Sequence, residues 1–262
     1  MKLAIQENLI PGKSFLEKMH RAEEYGFQAI EVWGTNLTNR VDEITKSISK
    51  SRIKISTICA GYRGSLLSAE KRERDIAVKD IKDLLSIGSD LGVVGLIVVP
   101  IFGPPQLPDL SPWKKTEDIE KALLVKLLRE IGEKAEKVDC LCLLEPLNRY
   151  ETHLVKTVGQ AIEIVKKVNS AGIRVMPDFF HMSIEEAKID EAIKKGKDFI
   201  HHIHLADSNR LLPGYGHTDF KARFTPLKKI GYDKYMALEC KVPGLAEKEL
   251  PECVNYLKKC IE

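Results

Sequence analysis

Four residues in the second half of the chain have types that can act together: Glu145, Asp178, His204 and Glu239. Each stands at the end of a short apolar run, in "CLLEP", "VMPDF", "HIHLA" and "MALEC". Three carboxylates and one imidazole form a mixed oxygen and nitrogen donor set for a divalent cation. Carboxylate-rich sets favour Mn²⁺ or Mg²⁺ and also accept Co²⁺ and Zn²⁺. Brought together without a cation, three carboxylates would repel and raise one another's pKa. A lone acid at a strand end reads as readily as a helix N-cap or a loop anchor. Recurrence over four consecutive runs is what points to a site.

The elements that would position these residues alternate along the chain. Val-, Ile- and Leu-rich runs occur at "KLAIQ", "AIEVWG", "KISTICAG", "GLIVVP", "CLCLLEP", "IRVMPDF", "IHHIHLAD" and "YMALEC". Between them lie segments with apolar residues three and four apart, such as Val158, Ala161, Ile162, Val165 and Val168, or Leu250, Cys253, Val254, Leu257 and Ile261. The first pattern suits strands buried on both faces, and the second suits amphipathic helices that cover them. Gly26, Gly88, Gly172 and Gly231 follow helical patterns and are expected to close the last turn. Eight β/α units in this length predict a single (β/α)8 TIM-barrel domain over residues 1–262, whose strand ends would share one mouth. No G-x-G-x-x-G follows the first run, so an open dinucleotide-binding sheet is the weaker fit. The sixth unit has the shortest helical segment, and "FGPPQLPDLSPWKK" reads as a long loop after the fourth strand.

Composition narrows the function classes. The 262 residues carry 41 Lys and Arg against 38 Asp and Glu, a net charge of +3, with the two signs interspersed. That balance gives no basic stripe for a nucleic acid. No run approaches the ~18 apolar residues of a membrane span. The six cysteines lie in apolar runs or on a helical stripe, without a C-x-x-C pair, as in a reduced, cytoplasmic protein.

The segments "EPLNRYE", "DFFHM", "HIHLADSNR", "PGYGHTDF" and "ALE" resemble the xylose-isomerase-like sugar isomerase/epimerase superfamily, and within it the D-tagatose 3-epimerase-like ketose epimerases. The resemblance implies that Glu145, Asp178, His204 and Glu239 bind one divalent metal ion, typically Mn²⁺. It also implies that Glu145 and Glu239 transfer protons, while Glu151, His181 and Arg210 hold the substrate. The implied reaction is epimerisation at C3 of a free ketose or keto-sugar acid. A base removes the proton beside the carbonyl, an enediolate forms, and the second glutamate reprotonates the opposite face. A small-molecule sugar partner and a homodimer or homotetramer are implied in the same way.

Aldose–ketose isomerisation, hydroxypyruvate isomerisation and inosose dehydration need the same donor set and stand as alternatives. A trinuclear apurinic endonuclease needs further histidines, and "STICAG", "IVVPIFG" and "DSNRLLPG" lack them. A barrel that binds sugar without turnover is a third reading. Among the remaining residues, His153 reads as a capping or orienting group, and His202 shares the alternation face of His204. His217, Gly214 and Gly216 fall in a turn-like signature. Trp33, Cys59 and Trp113 are candidates for the wall facing the far end of a sugar.

Overall fold

The computed structural model describes residues 1–262. The eight apolar runs form β1 (Lys2–Gln6), β2 (Ala29–Trp33), β3 (Lys54–Cys59), β4 (Gly95–Val98), β5 (Leu141–Leu144), β6 (Ile173–Val175), β7 (Ile203–Leu205) and β8 (Tyr235–Leu238). They pair in parallel in the order β6-β5-β4-β3-β2-β1-β8-β7. Parallel bridges Val175–Ile200 and Asp178–His204 join β6 to β7 and close the ring. Parallel neighbours cannot be joined by a tight hairpin, so helices make the connections. These are α1 (Phe15–Tyr25), α2 (Val41–Ile48), α3 (Lys71–Leu91), α4 (Thr116–Val138), α5 (Val158–Val168), α6 (Phe179–Glu185), α7 (Ile189–Lys195) and α8 (Phe220–Lys229), and α9 (Ala246–Ile261) follows β8. The expected TIM barrel is the fold observed.

Strand alternation divides the buried residues into two sets. Ile5, Ile30, Val32, Leu96, Val98, Leu144, Val175, Ile203, Leu205 and Leu238 join the large core beneath the helices. The intervening residues face the barrel axis. Ala4, Ala29 and Ala237 form one inner cluster, and Cys59, Ile97, Leu143 and Met176 form another. On the same alternation Gln6, Glu31, His202, His204, Glu145 and Glu239 also point inward, and a β-bulge in β3 sets Ser56 and Thr57 opposite Glu31 alone. Bulges of this kind re-aim a side chain.

Two expected helix ends differ. Gly88 lies inside α3, which continues to Leu91 and is closed by Gly92 at φ 67°. A Cβ on Gly88 would stand 2.7 Å from Sγ of Cys140, just before β5, and 3.3 Å from Ile58 Cδ1 of β3, so this glycine permits close packing of the helix on the barrel. The left-handed cap of α5 is Asn169 at φ 56°, and a Cβ on Gly172 would lie 2.6 Å from the Gly132 carbonyl oxygen. Gly26 caps α1 as expected, at φ 91°.

Candidate functional site

The carboxyl ends of β5 to β8 bring Glu145, Asp178, His204 and Glu239 together, with one donor atom from each within 4.8 Å of the others. The Glu145 and Glu239 backbones extend their strands, their N–H groups donating to Val98 O at 3.0 Å and Leu205 O at 3.2 Å. Asp178 sits at the start of α6 and divides its carboxylate between two tasks. Oδ1 accepts the Phe180 N–H at 2.7 Å as an N-cap, and Oδ2 faces the site. The cap and the site readings of this residue therefore coexist.

His204 is fully buried. Its Nε2 lies 3.0 and 3.1 Å from the two oxygens of Glu31. Its Nδ1 makes no hydrogen bond, although Glu239 Oε2 is 3.1 Å away and Glu145 Oε1 3.7 Å away. A buried nitrogen of this kind, aimed at three carboxylates and backed by a fourth, fits the donor set of a divalent cation. Burial opposes protonation of His204, but Glu31 and Glu239 outweigh it and raise its pKa well above the ordinary histidine range.

The two rim glutamates are electrostatically unequal. Burial raises the pKa of Glu145, and the nearby Glu239 charge adds to that. Burial also acts on Glu239, but His204 and Arg210 prevail and hold its pKa at about 2. The two carboxyls are thus pushed in opposite directions, one up and one down, the kind of unequal pair that acid/base chemistry uses. The Arg210 guanidinium donates to Asp178 Oδ2 and Glu239 Oε2 together and lies 4.8 Å from the Phe180 ring centre. It therefore rests on two acids of the metal-type set, and its backbone is left-handed at φ 63°.

His181, on α6, projects into the same region. Its Nδ1 accepts from Asn148 N at 3.3 Å and from Asn148 Nδ2 at 2.7 Å, which leaves the proton on Nε2. That nitrogen is 3.9 Å from Asp178 Oδ2. Glu151 lies beyond, 3.8 Å from His181 Nδ1, and accepts from Asn148 Nδ2 at 2.9 Å. Asp207 organises the loop that carries Arg210. Its carboxylate accepts from Ser208 N at 2.7 Å and from Gly214 N and Thr218 N at 2.9 Å. Gly214 and Gly216 therefore belong to a turn wrapped on Asp207.

His153 contacts Glu120 Oε2 at 2.6 Å and Gly103 O at 2.8 Å, tying its loop to α4. Cys59 lines the site beside Gln6 and Glu239, and burial pushes its thiol pKa well up. Trp33 is held at the rim by Asn8, at 3.2 Å from Nε1, whereas Trp113 is 77% exposed and His217 is also exposed. Gln6, Glu31, Asn148 and Asp207 join the site beyond the residues expected from the sequence. One signal was available for Glu31: it is the only charged residue inside the run "AIEVW".

Residues 19–260 match the family described as xylose isomerase-like TIM barrel. The chain is 28% identical over 244 residues to 3-dehydro-D-guloside 4-epimerase of Escherichia coli (strain K12), covering 92% of this chain and 93% of that protein. It is 37% identical over 120 residues to D-psicose 3-epimerase of Enterocloster bolteae, covering 46% of this chain and 40% of the relative. The crystal structure of 3-keto-D-glucoside 4-epimerase from E. coli superposes with a TM-score of 0.91 at 26% identity, over 99% of this chain and 100% of the other. The protein with eight parallel strands and this rim of acids belongs to the xylose isomerase-like TIM-barrel family.

Proposed function

We propose that the protein is a metal-assisted carbohydrate epimerase that inverts a carbon next to a sugar ketone, with Glu145 and Glu239 as its proton-transfer pair. The observation that carries this reading is the meeting of those two glutamates with Asp178 and the unpartnered His204 Nδ1 on one rim. Glu145, Asp178, His204 and Glu239 would hold one divalent cation, Mn²⁺ in the first instance and Co²⁺, Mg²⁺ or Zn²⁺ as alternatives. When bound, the cation supplies Lewis-acid stabilisation of the charge that develops on the sugar oxygens.

The chain's own residues do the rest. The ionised glutamate of the pair removes the proton beside the carbonyl, and the protonated one returns a proton to the opposite face of the enediolate. The Nε2–H of His181 and the guanidinium of Arg210 are donors that can meet developing negative charge. Glu151 offers an acceptor for a substrate hydroxyl. This assignment of Glu151, His181 and Arg210 favours C3 of a free ketose or keto-sugar acid.

A second reading places the same proton transfer at C4 of a 3-keto-glycoside. It is favoured by the match to 3-dehydro-D-guloside 4-epimerase, which extends over 92% of the chain, against 46% for the D-psicose 3-epimerase of E. bolteae. Both reactions pass through an enediolate beside a ring or chain ketone. Solvent exchange separates them. The protein, loaded with Mn²⁺, is incubated in D₂O with ketoses, keto-sugar acids and 3-keto-glycosides, and the recovered sugars are analysed by NMR. Deuterium at C3 of a ketose with its epimer supports the first reading, and deuterium at C4 of a 3-keto-glycoside the second. Deuterium at C1 with an aldose product would make the enzyme an aldose–ketose isomerase. No exchange in any substrate would refute the epimerase reading.

A further inference from the structure

Beneath the rim, Glu31 and Gln6 anchor a buried polar network that reaches His204 and Glu239. Glu31 is fully buried on β2 and accepts from four side chains. Thr57 Oγ1 donates at 2.6 Å, Gln6 Nε2 at 3.0 Å and His202 Nε2 at 3.0 Å, and His204 Nε2 lies 3.0 and 3.1 Å from its two oxygens. Gln6 reaches in two directions. Its Nε2 is 3.0 Å from Glu31 Oε1 and 2.9 Å from Glu239 Oε1, so both amide hydrogens go to carboxylates. Carboxylates only accept when ionised, so this amide orientation is the only one that satisfies both.

We infer that Glu31 and Gln6 are positioning residues for the rim, a role that rests on the proposed metal-assisted proton transfer. A neutral imidazole has one donor nitrogen and one acceptor nitrogen. Glu31 takes the Nε2–H of His204 and so leaves the Nδ1 lone pair for the cation. Such a carboxylate–histidine pair fixes both the tautomer and the ring plane of a ligand. Gln6 acts on the other partner. By holding Oε1 of Glu239 it prevents the carboxylate from rotating and leaves Oε2 facing His204 Nδ1 at 3.1 Å. One amide therefore links the group that orients a ligand to the group that moves a proton. A lone hydrophobic residue at position 6 would leave two buried carboxylates adjacent with nothing between them.

A rival use of the same atoms is a second cation held by Glu31, His202 and His204, whose donor atoms also lie within 4.8 Å of one another. The hydrogen-bond separations and the four donors already on Glu31 favour the network. His202 Nδ1 is left without a partner at the far side, away from the Nε2 that meets Glu31.

The test uses the intact protein and Glu31→Gln and Gln6→Leu variants, with three readouts. Mn²⁺ titration by calorimetry gives stoichiometry and affinity. The ¹⁵N and ¹H resonances of His204 in histidine-labelled protein report its hydrogen bonding. Kinetics of solvent exchange, on whichever sugar the D₂O assay shows to exchange, report kcat and KM separately. We expect one ion per chain, a Kd that rises about 10–100-fold in Glu31→Gln, and a His204 Nε2–H resonance that moves upfield in that variant. Gln6→Leu should lower kcat about tenfold with KM unchanged. An unchanged Kd together with an unchanged His204 resonance in Glu31→Gln would overturn the role of Glu31. A fall in kcat and rise in KM in equal measure for Gln6→Leu would overturn that of Gln6. Two ions in the wild type, one of them lost in Glu31→Gln, would replace the network by a second cation site. If the wild type takes up no ion, the metal reading fails instead, and the His204 resonance in ion-free protein still decides whether Glu31 holds Nε2. Should Glu31→Gln not fold, Glu31→Asp, which keeps the charge but withdraws it by one methylene, gives the same readouts.

Discussion

At the residue scale, the informative feature is that two of the rim acids, Asp178 and Glu239, divide their oxygens between different partners. Asp178 caps α6 with one oxygen and faces the site with the other. Glu239 gives Oε1 to Gln6 and Oε2 to Arg210 and His204. Glu239→Gln keeps the shape and one acceptor oxygen but removes the proton-accepting function. We expect kcat for epimerisation to fall by about 10²–10⁴-fold, with Mn²⁺ still bound. Near wild-type turnover in steady-state assays would exclude the two-glutamate mechanism. Arg210 raises a different question, because its guanidinium occupies oxygens that a cation would need. Arg210→Ala should therefore tighten Mn²⁺ binding several-fold while raising KM for the sugar. Weaker binding of Mn²⁺ in calorimetry would mean that Arg210 assists the cation and does not compete with it.

Elements carry these residues to their places by alternation and by packing. Glu145 and Glu239 follow directly from β5 and β8, where period-2 alternation sends them inward, so their approach was legible in the runs themselves. Asp178 and His181 depend more on α6, a helix of seven residues whose seat is aromatic. Phe179 is 1% exposed and its ring lies 6.3 Å from those of both Phe220 and Phe224 on α8. Removing that ring should leave a cavity next to Asp178. Phe179→Ala is expected to cost about 3–5 kcal/mol in urea unfolding, with a loss of cation affinity that Phe220→Leu does not reproduce. The glycines show where local reading fails. A glycine after a helical stretch predicts a cap at Gly88 and Gly172, yet both mark close approaches of backbone to a neighbour that is distant in sequence.

For the whole molecule, the strands form a closed ring with the acids at one end, and titration away from that end tests its stability independently. Burial, with Lys234 and Arg174 nearby, lowers the pKa of His201 to about 4. Below its ordinary value near 6.5 the unfolded chain takes up a proton that the folded chain refuses until pH 4. Stability should therefore fall as pH drops from about 6.5 to 4 and be unaffected by this group above that window. His201→Gln should flatten this part of the curve in urea titrations at a series of pH values. A wild-type and variant difference that is constant with pH would refute it. The sequence by itself determined the eight strands, the barrel, and the donor types at the ends of β5 to β8. These follow from apolar periodicity over a few residues, which local physics enforces. Only the tertiary structure decided that Glu31 backs His204, that Gln6 holds Glu239, and that Arg210 lies on Asp178 and Glu239. Gln6 and Glu239 are 233 residues apart, and His204 and Glu31 are 173 apart. Contacts across such separations leave no local period in the chain, because they exist only once β8 closes against β1 and β7 against β8.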